Sequence, residues 1–353
     1  MGPRQKISFC VSRDGTRIAV AAVGNASPIL RAAHWLSHVE YDLESPVWRP
    51  WVKALSHNYR YIRYDQRGCG LSERDPATIS FNAWVDDFEA VADTIEAESF
   101  PILGMSQGGA IAIAYAARRP ERVSKLILVG AYAQGAQVRA QTDAQRLEAR
   151  TLVDLIRIGW GRDNPAFRQL FTNLFIPDGT PEQHRWWNDL ERLTASPEIA
   201  ARTLEQLHLI DVTELAKQVK APTLVIHSRG DARIPFEEGL RLAGLIPGAK
   251  FMPLESRNHT LLAGEPAWPQ FLAELESFLN PSPVDRKAAI VHRSGLTATE
   301  SDVLALVAAG LDNRAIAARL GKHEKTVRNQ VSTILDKLGV RSRAEAIVLT
   351  LTI

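Results

Sequence analysis

Pro101-Ile102-Leu103-Gly104-Met105-Ser106-Gln107-Gly108-Gly109 is the stretch on which the fold of most of this chain turns. It reads as a short strand at Pro101–Leu103, a glycine-rich turn, and a helix of small residues running from Gly109 to Ala117. Its centre fits G-x-S-x-G, in which a serine sits on a sharp strand-to-helix turn and the glycines let neighbouring backbone pass without a Cβ clash. A Gly-rich turn without catalytic meaning is the plainer alternative. The strand before and the helix after favour a nucleophile elbow with Ser106 at its tip.

Working outward, short β-branched runs alternate with longer amphipathic ones, the pattern of a parallel or mixed sheet covered by helices on both faces. Strands are expected at Arg17–Val23, Ile29–Ala33, Tyr59–Tyr64 and Val123–Val129, and helices at Val47–Leu55 and Phe81–Ala97. After Ala133 a long helical, Trp-bearing stretch runs to Glu214, before strands resume at Thr223–His227 and Phe251–Leu254. A helical insertion between two sheet strands, about 133–214, reads as a lid. Pro281 and Pro283 end the helix Pro269–Leu279, since proline lacks the amide proton of a helix interior. The domains are therefore expected at 1–280 and 294–353, joined by a linker at 281–293.

A serine hydroxyl is a weak nucleophile at neutral pH and needs a base to take its proton and an acid to orient that base. After an elbow of this kind the acid and then the histidine come later in the chain, each just past a strand. Asp231 follows the strand Thr223–His227 and His259 follows Phe251–Leu254, so both stand where the chemistry needs them. A turn-forming aspartate and a helix-capping histidine are the alternatives for each taken alone.

On these residues the stretch 15–280 resembles the α/β-hydrolase fold family. Asp65-Gln66-Arg67-Gly68-Cys69-Gly70-Leu71-Ser72 is similar to that family's D-x-R-G-x-G-x-S segment, and Gly230-Asp231-x-x-Ile234-Pro235 resembles its acid-bearing loop. The resemblance implies Ser106 as nucleophile, His259 as general base and Asp231 as its orienter. Where the family often has His-Gly after the third strand, this chain has Ala33 and His34, which leaves the backbone amides of Trp35 and Gln107 as oxyanion donors. Loss of one such donor raises a barrier by about 3 kcal/mol, so slow turnover is compatible with a complete triad. His34 and His38 have no third ligand nearby in the sequence, and no metal or cofactor is expected.

Trp35 and Met105 beside the nucleophile, with Tyr132, Phe171, Phe175, Trp186 and Trp187 from the insertion, are the candidate pocket residues. Aromatics over a nucleophile line an apolar ligand pocket or form the lid's own core, and the pattern leaves both open.

The last sixty residues have another periodicity. Thr297 followed by Glu300 is a capping pattern leading into Val303, Leu304, Leu306 and Val307; Gly310 stops that helix. A short helix Asn313–Leu320, a turn at Gly321 and a helix from about Glu324 to Leu338 follow, then Gly339 and a last helix Ala344–Leu351. Val327, Val331, Ile334, Leu335 and Leu338 make the buried stripe of the third helix. These residues resemble the LuxR-type helix-turn-helix domain through Leu296-Thr297-x-x-Glu300, Gly310-Leu311-x-Asn313, Ile316-Ala317, Thr326-Val327-Arg328 and Lys337-Leu338-Gly339-Val340-x-Ser342-Arg343. The resemblance implies double-stranded DNA as partner and a homodimer on inverted half-sites. It places Arg328, Asn329 and Ser332 toward base edges, with Lys325, Thr326, Lys337, Arg343 and Asn313 on phosphates. Two departures stand out: His323 where a capping serine is usual and Asn329 where a histidine is usual.

Composition sets the outer limits. With 353 residues, 45% of them hydrophobic, the chain can fill a large α/β core and a small module beside it. Net charge is only +2, yet Arg314, Arg319, Lys322, Lys325, Arg328, Lys337, Arg341 and Arg343 gather against Glu324 and Asp336, where a groove reader needs cations. Cys10 and Cys69 form no disulfide framework or metal spacing. No run approaches the roughly 18 apolar residues of a membrane span, so a soluble cytoplasmic protein without a membrane partner is expected. The expected architecture is α/β: an α/β-hydrolase fold with helical lid, plus a small all-α four-helix helix-turn-helix domain. The expected function is a ligand-responsive transcriptional regulator that binds, and can slowly hydrolyse, a small apolar or aromatic effector. The alternative is a serine esterase or lactonase with a DNA-tethering head.

Overall fold

The computed structural model describes residues 4–280 and 296–351; the expected linker at 281–293 lies outside the described residues. Contacts divide the chain into two compact units on either side of Ala273 and Glu274.

The larger unit is built on one eight-stranded sheet. Its strands are β1 (Lys6–Val11), β2 (Arg17–Val23), β3 (Pro28–Arg31), β4 (Arg60–Tyr64), β5 (Phe100–Met105), β6 (Val123–Val129), β7 (Thr223–Ser228) and β8 (Lys250–Leu254), in the order β1-β2-β4-β3-β5-β6-β7-β8. The two pairs β1–β2 and β2–β4 are antiparallel and the rest are parallel. Helices α1 (Trp48–Asn58), α2 (Phe81–Asp93), α3 (Gln107–Arg118), α10 (Phe236–Leu245) and α11 (Ala267–Leu279) accompany the strands. The central strands are mostly buried, as parallel strands covered on both faces must be.

Between β6 and β7 lies the expected helical insertion: α4 (Ala136–Arg139), α5 (Asp143–Gly159), α6 (Ala166–Phe175), α7 (Pro181–Thr194), α8 (Pro197–His208) and α9 (Thr213–Ala216). Thr142 and Thr180 start α5 and α7 with capping boxes closed by Gln145 and Gln183, so these helices carry their own start signals. Strand β1 was not expected from the sequence. It is an edge strand whose side chains are mostly exposed, so nothing in it alternates between buried and polar positions. Helix α2 ends at Asp93 rather than Ala97, and β3 stops at Arg31, leaving Ala32 and Ala33 to the loop beyond it.

The segment 65–72 is scaffolding. Asp65 is buried; its carboxylate accepts from the amides of Val39 and Leu71, each at 2.8 Å, and burial pushes it up to about 7. Arg67 is buried too, bidentate on Asp87 of α2 at 2.6 and 2.7 Å and bonded to Asp14 at 2.7 Å. One guanidinium thus ties the β1–β2 turn, the loop after β4 and α2 together.

Among the described residues from 296 onward the smaller unit has four helices, α12 (Ala298–Ala308), α13 (Asn313–Leu320), α14 (Glu324–Leu338) and α15 (Arg343–Leu351). Val303, Leu304, Val307, Ile316, Val327, Val331 and Ile334 form its core, with Leu335 and Leu338 partly buried against it. Gly321 ends α13 at φ +63°, a left-handed conformation that suits the turn into α14. Thr297 and Glu300 close the expected capping box, and Lys337 of α14 bonds both oxygens of Glu300 at 2.7 and 2.9 Å. His323 precedes α14 without a side-chain cap.

The Lys337 ammonium and then the Thr297 amide hold the Glu300 carboxyl at about 2, below its ordinary 4.5. A depressed carboxyl stabilises the fold above its unfolded value, and that contribution fades as pH falls from 4.5 toward 2. Glu300→Gln should therefore lower the melting temperature of this unit at pH 7 in the full chain, and the gap from the parent should narrow below pH 4.5. Equal melting at pH 7 would remove the ion pair from the account.

Candidate active site and DNA-reading face

Ser106 joins β5 to α3 at φ 49° and ψ −125°, a left-handed conformation that a serine occupies only under constraint. Its amide is bonded to the Val129 carbonyl of β6 at 2.9 Å. A Cβ on Gly108 would lie 2.8 Å from the Ala33 oxygen, and one on Gly104 would lie 2.7 Å from the Gly109 Cα, so glycine at both positions follows from the crowding. After β3 the chain runs outward to β4, then returns to place β5 on the other side of β3. Ser106 after β5 and Trp35 after β3 therefore stand at the sheet's switch point, where open α/β sheets bind ligands.

Asp231 lies beyond β7 and His259 beyond β8, as expected. His259 Nδ1 is 2.7 Å from Asp231 Oδ2, while Oδ1 of the same carboxylate accepts from the amides of Arg233 and Ile234, each at 2.8 Å. Burial opposes ionisation of Asp231, but the His259 imidazole and these amides outweigh it and hold the carboxyl below its ordinary value. An ionised acceptor at Nδ1 fixes that nitrogen as the donor and leaves Nε2 free to act as a base.

Two narrow chambers meet at Ser106. The first is lined by His259, His34, Trp35, Trp48, Met105 and Trp187, among others; the second by Tyr132, Phe171, Leu204, Leu207, Arg233 and Ile234. Trp35, Ser106 and Phe175 line both. Of the expected pocket residues, Trp35, Met105, Tyr132, Phe171, Phe175 and Trp187 are brought to these chambers. Trp186 is not; it stacks on Tyr41 with ring centroids 4.9 Å apart. Neighbours on a helix point about 100° apart, so only one of the two tryptophans can face the chamber.

The sequence marks His34 by its place in the loop after β3 and by its spacing from His38, and the structure places its ring in the first chamber, stacked on Trp48 at 4.5 Å. Its Nδ1 lies 2.8 Å from the Trp35 carbonyl, an acceptor, so Nδ1 carries the proton. Burial, then the nearby Arg31, pushes the imidazole well below its ordinary value, so it is neutral and Nε2 is a buried acceptor without a protein partner. His38 accepts instead from the Tyr41 amide at 3.3 Å. Among the described residues no cluster of three or more His, Cys, Asp or Glu side chains is arranged to hold a metal. Leu36, directly after Trp35, is at φ 55°; it and Ser106 are the described non-glycine residues at positive φ, and both flank the chambers. The Gln107 side chain bonds Gln66, while its amide belongs to the first turn of α3, whose donors lack intrahelical partners.

On α14, Lys325, Thr326, Arg328, Asn329 and Ser332 are exposed, and Arg328 is loosely paired with Glu324 at 3.3 Å. The remaining phosphate candidates have partners inside the unit: Lys337 holds Glu300, and Arg343 bonds Asn313 at 3.0 Å as well as the Leu311 carbonyl. Sequence spacing carries no signal for such contacts, which span more than thirty positions along the chain.

Asp231→Asn keeps the size of the orienting group and offers His259 the wrong hydrogen-bond partner. Hydrolysis of a 4-nitrophenyl ester should fall by about three to four orders of magnitude in kcat, with the fold retained. A loss below tenfold would mean that Asp231 does not orient the base.

The comparisons with known proteins agree with this geometry. Residues 42–266 match the family model of the alpha/beta hydrolase fold, and residues 294–350 match that of the bacterial regulatory proteins, luxR family. The chain is 33% identical over 224 residues to a 2-hydroxymuconate semialdehyde hydrolase of Pseudomonas sp. strain CF600, covering 58% of this chain and 71% of that protein. It is 28% identical over 220 residues to a 2-hydroxy-6-oxo-2,4-heptadienoate hydrolase of Pseudomonas putida, covering 56% and 71%. An esterase from Exiguobacterium antarcticum superposes with a TM-score of 0.65 at 25% identity, over 79% of this chain and 99% of that one. With a G-x-S-x-G elbow at the switch point and an Asp-His pair beyond the last two strands, the chain belongs to the alpha/beta hydrolase fold family and carries a luxR-family DNA-binding domain at residues 294–350.

Proposed function

We propose that this protein is a ligand-responsive DNA-binding transcriptional regulator whose hydrolase domain binds, and slowly turns over, a small apolar or aromatic effector. The observation that carries the reading is the joining of two devices in one chain: a narrow, aromatic-lined chamber at Ser106 and a helix-turn-helix unit with exposed Lys325, Arg328, Asn329 and Ser332. An enzyme gains no catalytic advantage from a groove-reading helix, whereas a regulator gains a ready-made pocket. The relatives named for hydrolysis of 2-hydroxymuconate semialdehyde and 2-hydroxy-6-oxo-2,4-heptadienoate support a small organic molecule as the ligand.

The Asp231–His259 bond of 2.7 Å favours retained chemistry as a second reading, an esterase or lactonase tethered by its head. In that chemistry Ser106 Oγ attacks the ester carbonyl carbon and its proton passes to His259. The proton then leaves with the alcohol as the C–O bond breaks, and water, deprotonated by His259, releases the acid and restores the serine. The amides of Trp35 and Gln107 serve the oxyanion. His34 stands in place of the glycine usual in the family, a change compatible with slow turnover.

Binding to DNA as a homodimer on inverted half-sites follows the family pattern, with Arg328, Asn329 and Ser332 at base edges. Arg328→Ala should cost about 1 to 3 kcal/mol on the chain's own operator and relax its preference at one base pair. Unchanged affinity and preference would displace Arg328 from the reading face. Ser106→Ala separates the two readings of the hydrolase domain. A sensor keeps ligand-dependent DNA binding in an electrophoretic or anisotropy titration, while an enzyme whose product is the signal loses it.

A further inference from the structure

The second chamber contains a charge that the protein leaves unanswered. Arg233, two residues past Asp231 and half-buried, lines the chamber together with Ser106 and Tyr132, among the apolar Phe171, Phe175, Leu204, Leu207 and Ile234. Its backbone amide is spent on Asp231 at 2.8 Å, but its guanidinium has no hydrogen bond and no ion pair within 4.0 Å among the described residues. Three other buried arginines of this domain are held by hydrogen bonds, and a fourth, Arg31, has only an ion pair with Asp42 at 3.6 Å. Arg67 is clasped by Asp14 and Asp87, Arg63 is 2.9 Å from Asp42, and Arg168 bonds the Trp160 carbonyl at 2.8 Å.

The neighbouring acids do not fill the gap. Asp231 commits one oxygen to His259 and the other to two backbone amides, and Glu148 is exposed on α5. A second cation stands nearby. Arg139 lies 6.0 Å from the Tyr132 ring, which also lines the chamber, and its guanidinium donates to the Gln134 carbonyl. His208, beside the lining residue Leu207, is buried with Nε2 unpartnered; burial first, and then Arg233 and Arg139, push its pKa down to about 3, so it adds no charge of its own. Burial and Arg139 likewise push Arg233 downward, the direction for a cation short of an anion. A half-buried guanidinium without a protein partner, beside apolar walls, is a place where a ligand can supply the counter-charge.

We propose that the second chamber is a carboxylate site: the ligand of the hydrolase domain is an ester or lactone that also bears a carboxylate, held by Arg233 while its carbonyl lies at Ser106. This deepens the proposed function by giving the effector a charge class, and it rests on that reading only for the position of the carbonyl. An arginine fork matches a carboxylate with two parallel hydrogen bonds, and the aromatic and leucine walls take the carbon chain between the two polar ends.

The test compares two substrates of equal length on the full chain: mono-4-nitrophenyl glutarate, with a terminal carboxylate on the acyl chain, and 4-nitrophenyl pentanoate, with a methyl group there. The wild type should favour the anionic ester by about tenfold or more in kcat/KM, the factor a charge-assisted pair supplies. In Arg233→Met that ratio should fall to about one, and Arg233→Lys should keep part of it. Because the ratio is read within each protein, a general loss of activity cancels. A parallel calorimetric titration of Ser106→Ala with monomethyl glutarate and with methyl pentanoate reads the same preference without chemistry. Arg233-dependent preference in binding without turnover of either ester would retain the carboxylate site and remove hydrolysis from the proposed function. Turnover of both esters with no charge preference, a preference that survives Arg233→Met, or no Arg233-dependent preference in either assay would overturn the site.

Discussion

Where α3 begins, Gly108 lies so close to the end of β3 that a Cβ would sit 2.8 Å from the Ala33 oxygen and 2.9 Å from that of Ala32. Nothing but a hydrogen fits between the helix and the loop. That contact brings the first amides of α3 up to Trp35 and fixes where β5 must end, so Ser106 is left to absorb the turn at φ 49°. A larger residue at 108 would push α3 away from β3. Ser106, the first amides of α3 and the wall shared by the two chambers would then part together. The strain at Ser106 is held by the surrounding sheet: its amide is anchored to β6 at Val129, and β5 pairs in parallel with β6 along six positions.

What the sequence made legible was the chemistry encoded in short stretches. The elbow announces itself within five residues, and Asp231 and His259 can be found from chain order because each closes a strand. The head was legible through capping, glycine stops and a helical stripe, which are all local signals. Illegible were features that depend on distant partners or on the absence of burial. Strand β1 pairs with β2 over six positions but buries almost nothing, so no periodicity marks it. Trp186 and Trp187 are equivalent in composition and separate only once the helix phase is known. Arg233 passed as part of an acid-bearing loop, and only the chamber shows that its charge is uncompensated.

Buried charge divides by purpose in this domain. Asp65 and Arg67 lie in a segment that reads like chemistry, yet their bonds close on backbone amides and on Asp14 and Asp87, and what they hold is the fold. His34 and Arg233 have the opposite character at a chamber wall: His34 Nε2 is buried without a partner, and the half-buried Arg233 makes no side-chain hydrogen bond or ion pair among the described residues. Buried polar groups in folded proteins are nearly always satisfied, so an unsatisfied one beside a nucleophile marks space kept for something else. The same contrast holds in the head, where Lys337 and Arg343 tie helices together and Lys325 and Arg328 stay exposed.

The lid and the loop that carries His259 are bonded to each other. The Phe175 carbonyl, at the end of α6, accepts the amide of Thr260, directly after the base, at 3.0 Å, and the Asp178 amide is bonded to the Asn258 side chain at 3.0 Å. Phe175 stands in both chambers and meets the His259 ring edge-on at 5.4 Å. A ligand that displaces Phe175 therefore acts on the loop that carries the base, so filling the pocket and positioning His259 are not independent events. For such a ligand to act as a signal it must bind one arrangement of the lid more tightly than the other; tight binding to both shifts nothing. Moving a population from one part in a hundred to ninety-nine needs a preference of about ten-thousandfold. Apolar walls alone supply little of that, because they repack around a ligand in either arrangement. A buried charge matched in one arrangement and stranded in the other supplies far more, which gives an unpaired Arg233 a physical use in a sensor that it would not have in an unselective esterase.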